Sequence, residues 1–152
     1  MKKIVVGLSL LLGSLFTIHA QEFSDNAVGL RLGSNDGFGA DISFQRKLKE
    51  NNRLEVNLGM RYRFRDLKLS GLYAWIWSLE ENINWYAGAG GGFYDDYKVS
   101  TFASGIIGIE YNLDNEVDLP LVISLDYRPE IGITGDLNGL NSDVGLSVRY
   151  QF

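Results

Sequence analysis

The fold class this sequence predicts is all-β: an eight-stranded antiparallel up-and-down transmembrane β-barrel. Three observations carry that expectation. Apolar and polar residues alternate with period two through segment after segment, the mark of strands with one apolar face. After residue 20 no apolar run reaches the roughly 20 residues a spanning helix needs, so a chain that crosses a membrane must do so as a closed barrel. The final segment keeps the alternation to the last residue: Val144, Leu146, Val148, Tyr150 and Phe152 share one face, and Phe152 carries the carboxylate.

The elements follow in chain order. Residues 1–20 read as a cleaved secretory signal peptide, with Lys2 and Lys3, an apolar stretch from Ile4 to Phe16, and Ile18-His19-Ala20 before a cut at Gln21. Ile18 is larger than the small residue preferred there, but the apolar stretch is too short for a membrane anchor. Residues 21–152 then form one barrel domain. Its strands are expected at Asn26 to Gly33, Phe38 to Arg46, Arg53 to Phe64, Leu67 to Leu79, Ile83 to Phe93, Thr101 to Asn112, Leu121 to Thr134, and Ser142 to Phe152. Turn residues separate them: Ser34-Asn35-Asp36-Gly37, Lys49 to Asn52, Glu80-Glu81-Asn82, Asp95-Asp96, Asp114-Asn115, and Gly135-Asp136 with Asn138-Gly139. Pro129, inside the seventh strand, requires a bulge or an unpaired position.

One alternate face runs through all eight strands without a charge, from Val28, Leu30 and Leu32 through Leu54 to Met60, Tyr73, Trp75 and Trp77, to Phe152. The other face holds Arg31, Asp41, Glu55, Arg61, Arg63, Lys68, Glu110, Asp126, Arg128, Glu130, Asp143 and Arg149, six acids against six bases. It also holds Gly88, Gly90 and Gly92 in a row. Size assigns the faces. Eight strands enclose an interior just wide enough to be filled by side chains, too small for the bulky set. The bulky face therefore meets lipid, and the small and charged face lines an interior network whose charges pair with one another. Aromatics are expected in two girdles at the membrane interfaces. Phe44, Trp77, Trp85, Tyr111, Tyr150 and Phe152 fall near one end of the strands, and Phe38, Tyr62, Phe64 and Phe93 near the other, with Tyr73 and Trp75 deeper.

The leader, the eight amphipathic strands, the balanced interior charges and the terminal Tyr150-Gln151-Phe152 resemble the small bacterial outer-membrane barrels of the OmpA/OmpX type. The resemblance implies an outer-membrane location and a C-terminal assembly signal, Val148, Tyr150 and Phe152, read by the barrel-assembly machinery. It also implies contact with outer-membrane lipid and lipopolysaccharide, and a monomer. With both termini periplasmic, the outer loops near Asn35, Arg65-Asp66, Asp95 to Ser100 and Asp136 to Asn141 are short, a departure from the long loops that serve adhesion in that group.

No enzyme is expected. The enzymes built on such barrels use a histidine near the membrane edge, and the only histidine here, His19, leaves with the leader. Ser124 with Asp126 is a pair that any polar strand face offers. Gly88-x-Gly90-Gly91-Gly92 lies inside a strand, not at the strand-to-helix turn of a phosphate loop. Asp136, Asn138, Asn141 and Asp143, and also Asp114, Glu116 and Asp118, lack the spacing of a calcium loop. No cofactor or metal is expected. Cleavage removes two of 14 basic residues and none of 19 acidic ones, leaving a charge of −7 that excludes nucleic acid as a partner. With no cysteine there is no disulfide and no thiolate chemistry. The reading is a non-enzymatic envelope protein with a filled, charge-paired interior. The alternatives are a small ion-conducting pore, with any gap along Gly88, Gly90 and Gly92, or a secreted soluble barrel for an apolar ligand.

Overall fold

The computed structural model describes residues 25–34, 39–61, 66–96, 98–135 and 139–152. Residues 1–20, the expected leader, lie outside them, as do Phe38, Tyr62, Phe64, Asp136 and Asn138. The strands are β1 (Asn26–Gly33), β2 (Gly39–Lys49), β3 (Asn52–Arg61), β4 (Asp66–Ser78), β5 (Ile83–Asp96), β6 (Lys98–Asn112), β7 (Leu121–Thr134) and β8 (Leu140–Gln151). Each pairs antiparallel with the next, and β8 returns to β1, closing an eight-stranded barrel. The seam runs from Ala27 opposite Gln151 to Gly33 opposite Gly145. At its end the Phe152 N–H donates to the Asn26 carbonyl at 2.9 Å. Closure leaves no unpaired sheet edge, which is what a strand protein needs in lipid.

Alternation does the rest. On β2 as far as Arg46, and on β3, the residues are buried and exposed by turns, and the exposed ones include Ile42, Phe44, Leu54, Val56, Leu58 and Met60. The same holds on β8, where Val144, Leu146, Val148 and Tyr150 face out and Asp143, Ser147 and Arg149 face in. The outer wall is thus a continuous apolar surface, far larger than the patches that water-soluble monomers expose. Among the described residues no helix is long and apolar enough to cross a membrane.

Several elements differ from the sequence reading. The β5–β6 hairpin is longer, paired as far as Asp96 opposite Lys98, where a turn from Asp95 to Ser100 was expected. Laddering satisfies the N–H and C=O groups that a loop would leave open. Asp114–Val117 forms a single helical turn, α1, where only a polar turn was read. Asn112 starts it by accepting the Asp114 N–H on its Oδ1 at 3.0 Å. Asp66 was assigned to an outer turn but is the first residue of β4, and it is buried. Trp75 stands opposite Asn52, the first residue of β3, and the Tyr73 hydroxyl accepts from Asn52 Nδ2 at 2.6 Å. Both aromatics therefore lie nearer the end that carries the termini than their sequence positions indicated, because neighbouring strands are staggered. Pro129 falls where β6–β7 pairing lapses between Ser104 and Ile107, so its missing N–H breaks no ladder bond on that side.

The interior is not wholly polar. Leu72, Ala74, Tyr86 and Ile106 form a small apolar cluster inside the barrel. Along the glycine stripe the neighbouring strand comes close. A Cβ added at Gly88, Gly90 or Gly92 would lie 2.1, 1.9 or 2.1 Å from the carbonyl oxygen of Tyr73, Gly71 or Leu69. The backbone of β4 leans over the inner face of β5, and only glycine permits so close an approach.

Candidate functional site

The interior charges are the candidate site. Inward-facing positions on β1, β2, β3, β7 and β8 bring their side chains to the middle of the barrel because the alternation leaves them no other direction. Arg31 and Arg149 are completely buried. Arg31 donates through Nη2 to Asp126 Oδ1 at 2.6 Å and through Nη1 to Asp143 Oδ2 at 2.7 Å, with Asp41 at 3.4 Å. Asp143 also accepts the Ser34 N–H at 2.8 Å. Glycine makes the room: a Cβ on Gly145 would sit 2.3 Å from Arg31 Cζ.

Arg128 joins this cluster to the opposite wall. It donates to Asp126 through Nε at 2.9 Å and to Glu55 Oε1 through Nη2 at 2.6 Å. Its strand, β7, and that of Glu55, β3, are four places apart around an eight-membered ring, so this contact spans the barrel's diameter. Gln45 donates to the other Glu55 oxygen at 2.7 Å. Arg149 reaches Ser43 at 3.0 Å, Ser124 at 2.7 Å and Glu55 at 3.4 Å. Asp41, Asp143, Arg31, Asp126, Arg128, Glu55 and Arg149 thus form one connected chain of ion pairs. Towards one end Lys68 pairs with Glu130, and towards the other Arg53 pairs with Glu110. Each anion is held by charge-assisted bonds, the arrangement that makes charge burial tolerable.

Of the residues singled out from sequence, Arg31, Asp41, Glu55, Lys68, Glu110, Asp126, Arg128, Glu130, Asp143 and Arg149 are buried inside. Arg61 closes β3 opposite Asp66; its side chain, and Arg63 altogether, lie outside the described residues. The sequence reading missed Arg53 and Asp66. Arg53 shares the parity of Glu55 but was placed at a strand boundary, and Asp66 was taken for a turn. The Tyr94 hydroxyl donates to Asp66 Oδ2 at 2.8 Å. It also missed Tyr86, fully buried, whose hydroxyl donates to Asp126 Oδ2 at 3.4 Å while a Cβ at Gly108 would collide with its ring. A polar tip on an aromatic and a glycine two places from an acid were the available signals.

The Ser124 hydroxyl accepts from Arg149 and Asp126 holds two arginines, so the pair has no free base. Asp143 turns inward to Arg31; Asp136 and Asn138 lie outside the described residues. Among the described residues no three His, Cys, Asp or Glu groups gather in a way that could hold a metal. On β8, Val148 and Tyr150 face outward and Phe152 is half-buried beside the seam.

The fold has solved counterparts. The N-terminal β-barrel domain of Pseudomonas aeruginosa OprF superposes with a TM-score of 0.69 at 12% identity, covering 86% of this chain and 100% of that one. A de novo designed transmembrane β-barrel gives 0.63 at 18%, over 88% and 100%. Neisserial surface protein A gives 0.60 at 16%, over 84% and 94%. No protein-family model matches this chain, and no curated protein sequence does. At such identities the likeness is one of fold: that of small eight-stranded transmembrane β-barrels.

Proposed function

We propose that this chain is a non-enzymatic integral protein of the bacterial outer membrane, closed to ions, with a structural or interaction role at the cell envelope. The observation that carries the reading is the Arg128–Glu55 bond at 2.6 Å between diametrically opposed strands. A bond across the full width, with Asp126, Arg149 and Tyr86 beside it, supports a plugged interior over an open pore. The apolar exterior supports residence in lipid over a soluble barrel, whose bulky face would turn inward. In this reading the termini face the periplasm, the C-terminal Val148, Tyr150 and Phe152 guide assembly, and lipid and lipopolysaccharide surround a monomer.

Planar-bilayer recording tests closure. The purified barrel should give no steady conductance above the lipid background; steady unitary currents would overturn the closed reading in favour of a small pore. Cell fractionation tests location. A heat-modifiable band in the outer-membrane fraction is expected, and a detergent-independent periplasmic protein would overturn the membrane reading.

A further inference from the structure

At the rim that carries the termini, the apolar wall ends in a patch unlike the rest of it. β2 runs past Arg46 to Lys49, and its pairing with β3 shifts between Lys47 and Lys49. Arg46 keeps the outward parity of Ile42 and Phe44 and stands between Asn26 and Leu54. An extra residue at a bulge moves the alternation by one place. Lys49 is therefore opposite Asn52 and shares its outward face, where an unbroken ladder would have turned it to the lumen with Gln45. Arg46 and Lys49 are both exposed, and neither forms an ion pair among the described residues.

Neutral donors on β3 and β4 complete the patch. Across from Arg46 the row continues through Leu54 to Tyr73, and across from Lys49 through Asn52 to Trp75. Asn52 donates to the Tyr73 hydroxyl at 2.6 Å, which leaves the hydroxyl's own hydrogen and the second amide hydrogen for another acceptor. The Trp75 ring stands edge-on to Tyr73 with centroids 5.1 Å apart, and its indole N–H can only donate. Strands lie about 4.8 Å apart, so three of them make the patch about 10 Å across. The nearby acids Asp25 and Glu50 border the barrel mouth instead. At the opposite rim the outward charge is an acid, Asp95, between Leu67 and Val99, so cations are not a general property of the rims.

We propose that this patch holds the headgroup of an anionic phospholipid, its phosphodiester on the Arg46 guanidinium and Lys49, with Tyr73 and Asn52 donating to the same oxygens and the acyl chains along Phe44, Leu54 and Val56. The arginine fork matches two phosphate oxygens, and tryptophan and tyrosine rings sit at headgroup depth. Charge selects the class. A zwitterionic headgroup brings an ammonium that the two cations repel, and an anionic one does not. The site presupposes a wall standing in lipid, as proposed above, and adds the class of lipid and its place.

The test is native mass spectrometry of the detergent-solubilised barrel, folded as judged by heat-modifiable mobility and titrated with phosphatidylglycerol or with phosphatidylcholine. One phosphatidylglycerol per barrel should be retained, about fivefold more tightly than phosphatidylcholine or better. Arg46→Gln and Lys49→Gln should each weaken its retention by about fivefold, the worth of one basic residue beside an anionic headgroup. Lys98→Gln removes the same charge at the opposite rim and should leave retention unchanged. Equal retention of the two lipids, unchanged affinity in Arg46→Gln and Lys49→Gln, or an equal loss in Lys98→Gln would each overturn the site. Any of these leaves the wall's residence in lipid standing, which cell fractionation judges independently. Should the variants fail to fold, the Arg46 Nε–H resonance of the unaltered barrel in phosphatidylcholine micelles decides: a saturable shift with phosphatidylglycerol supports the site, and none refutes it.

Discussion

Replacing Arg128 with methionine is the sharpest test of the charge-filled interior. The guanidinium makes three bonds, to Glu55 at 2.6 Å and to Asp126 at 2.9 and 3.0 Å. Methionine fills much of the same space and donates nothing. Removing one partner of a buried ion pair costs about 3–5 kcal/mol, because the other charge is stranded. Here neither acid is left bare: Arg31 still holds Asp126 at 2.6 Å, and Gln45 still holds Glu55 at 2.7 Å. The expected loss is therefore at the low end, about 3 kcal/mol. Glu55→Gln breaks the same bond from the other side and should cost a similar amount. Since the two single changes share one contact, the double variant should be more stable than their summed losses by about 1–2 kcal/mol. Urea titrations of folding into lipid vesicles measure this, with fluorescence from Trp75, Trp77 and Trp85 on the wall and heat-modifiable mobility as the second probe. If Arg128→Met lies within about 0.5 kcal/mol of the unaltered chain and the double variant is simply additive, the interior is solvated and the ion pairs are not what fills it.

Other expectations follow from the wall. Leu58 is 42% exposed and stands between Ile42 and Leu69, so Leu58→Arg sets a cation against lipid and should cost about 2–4 kcal/mol in the same titration; a neutral result would reverse the assignment of faces. Gly90→Ala places a methyl group 1.9 Å from the Gly71 carbonyl oxygen, a backbone atom that no rotamer change relieves, and should cost about 1–3 kcal/mol or more. Gly71→Ala meets nothing within 4 Å and should change stability by less than about 0.5 kcal/mol, so equal losses in the two variants would refute the tight β4–β5 approach. Deleting Phe152 removes its mutual backbone bonds with Asn26 at the seam and should lower the yield of heat-modifiable barrel in cells; an undiminished yield counts against both the seam and the assembly role.

What the sequence by itself determined was periodicity and its consequences. A period of two fixes which residues share a face, so eight strands, their near-complete bounds and a charge-free outer face were legible without coordinates. Chain width did the remaining work, since an eight-stranded ring cannot enclose the tryptophans. The sequence was silent on everything set by stagger between strands. Which acid meets which arginine depends on how far each strand slides past the next, and Arg128 reaching Glu55 lies 73 residues away along the chain. The same stagger placed Tyr73 and Trp75, whereas Asp66 lies inside because β4 already begins there, in step with Lys68 and Ser70. Crowding was likewise invisible. The glycine at 145 leaves room for a side chain, that of Arg31, whereas at Gly88 and Gly90 glycine admits the neighbouring backbone. A sequence records that a side chain is absent, and only the tertiary structure decides what occupies the space.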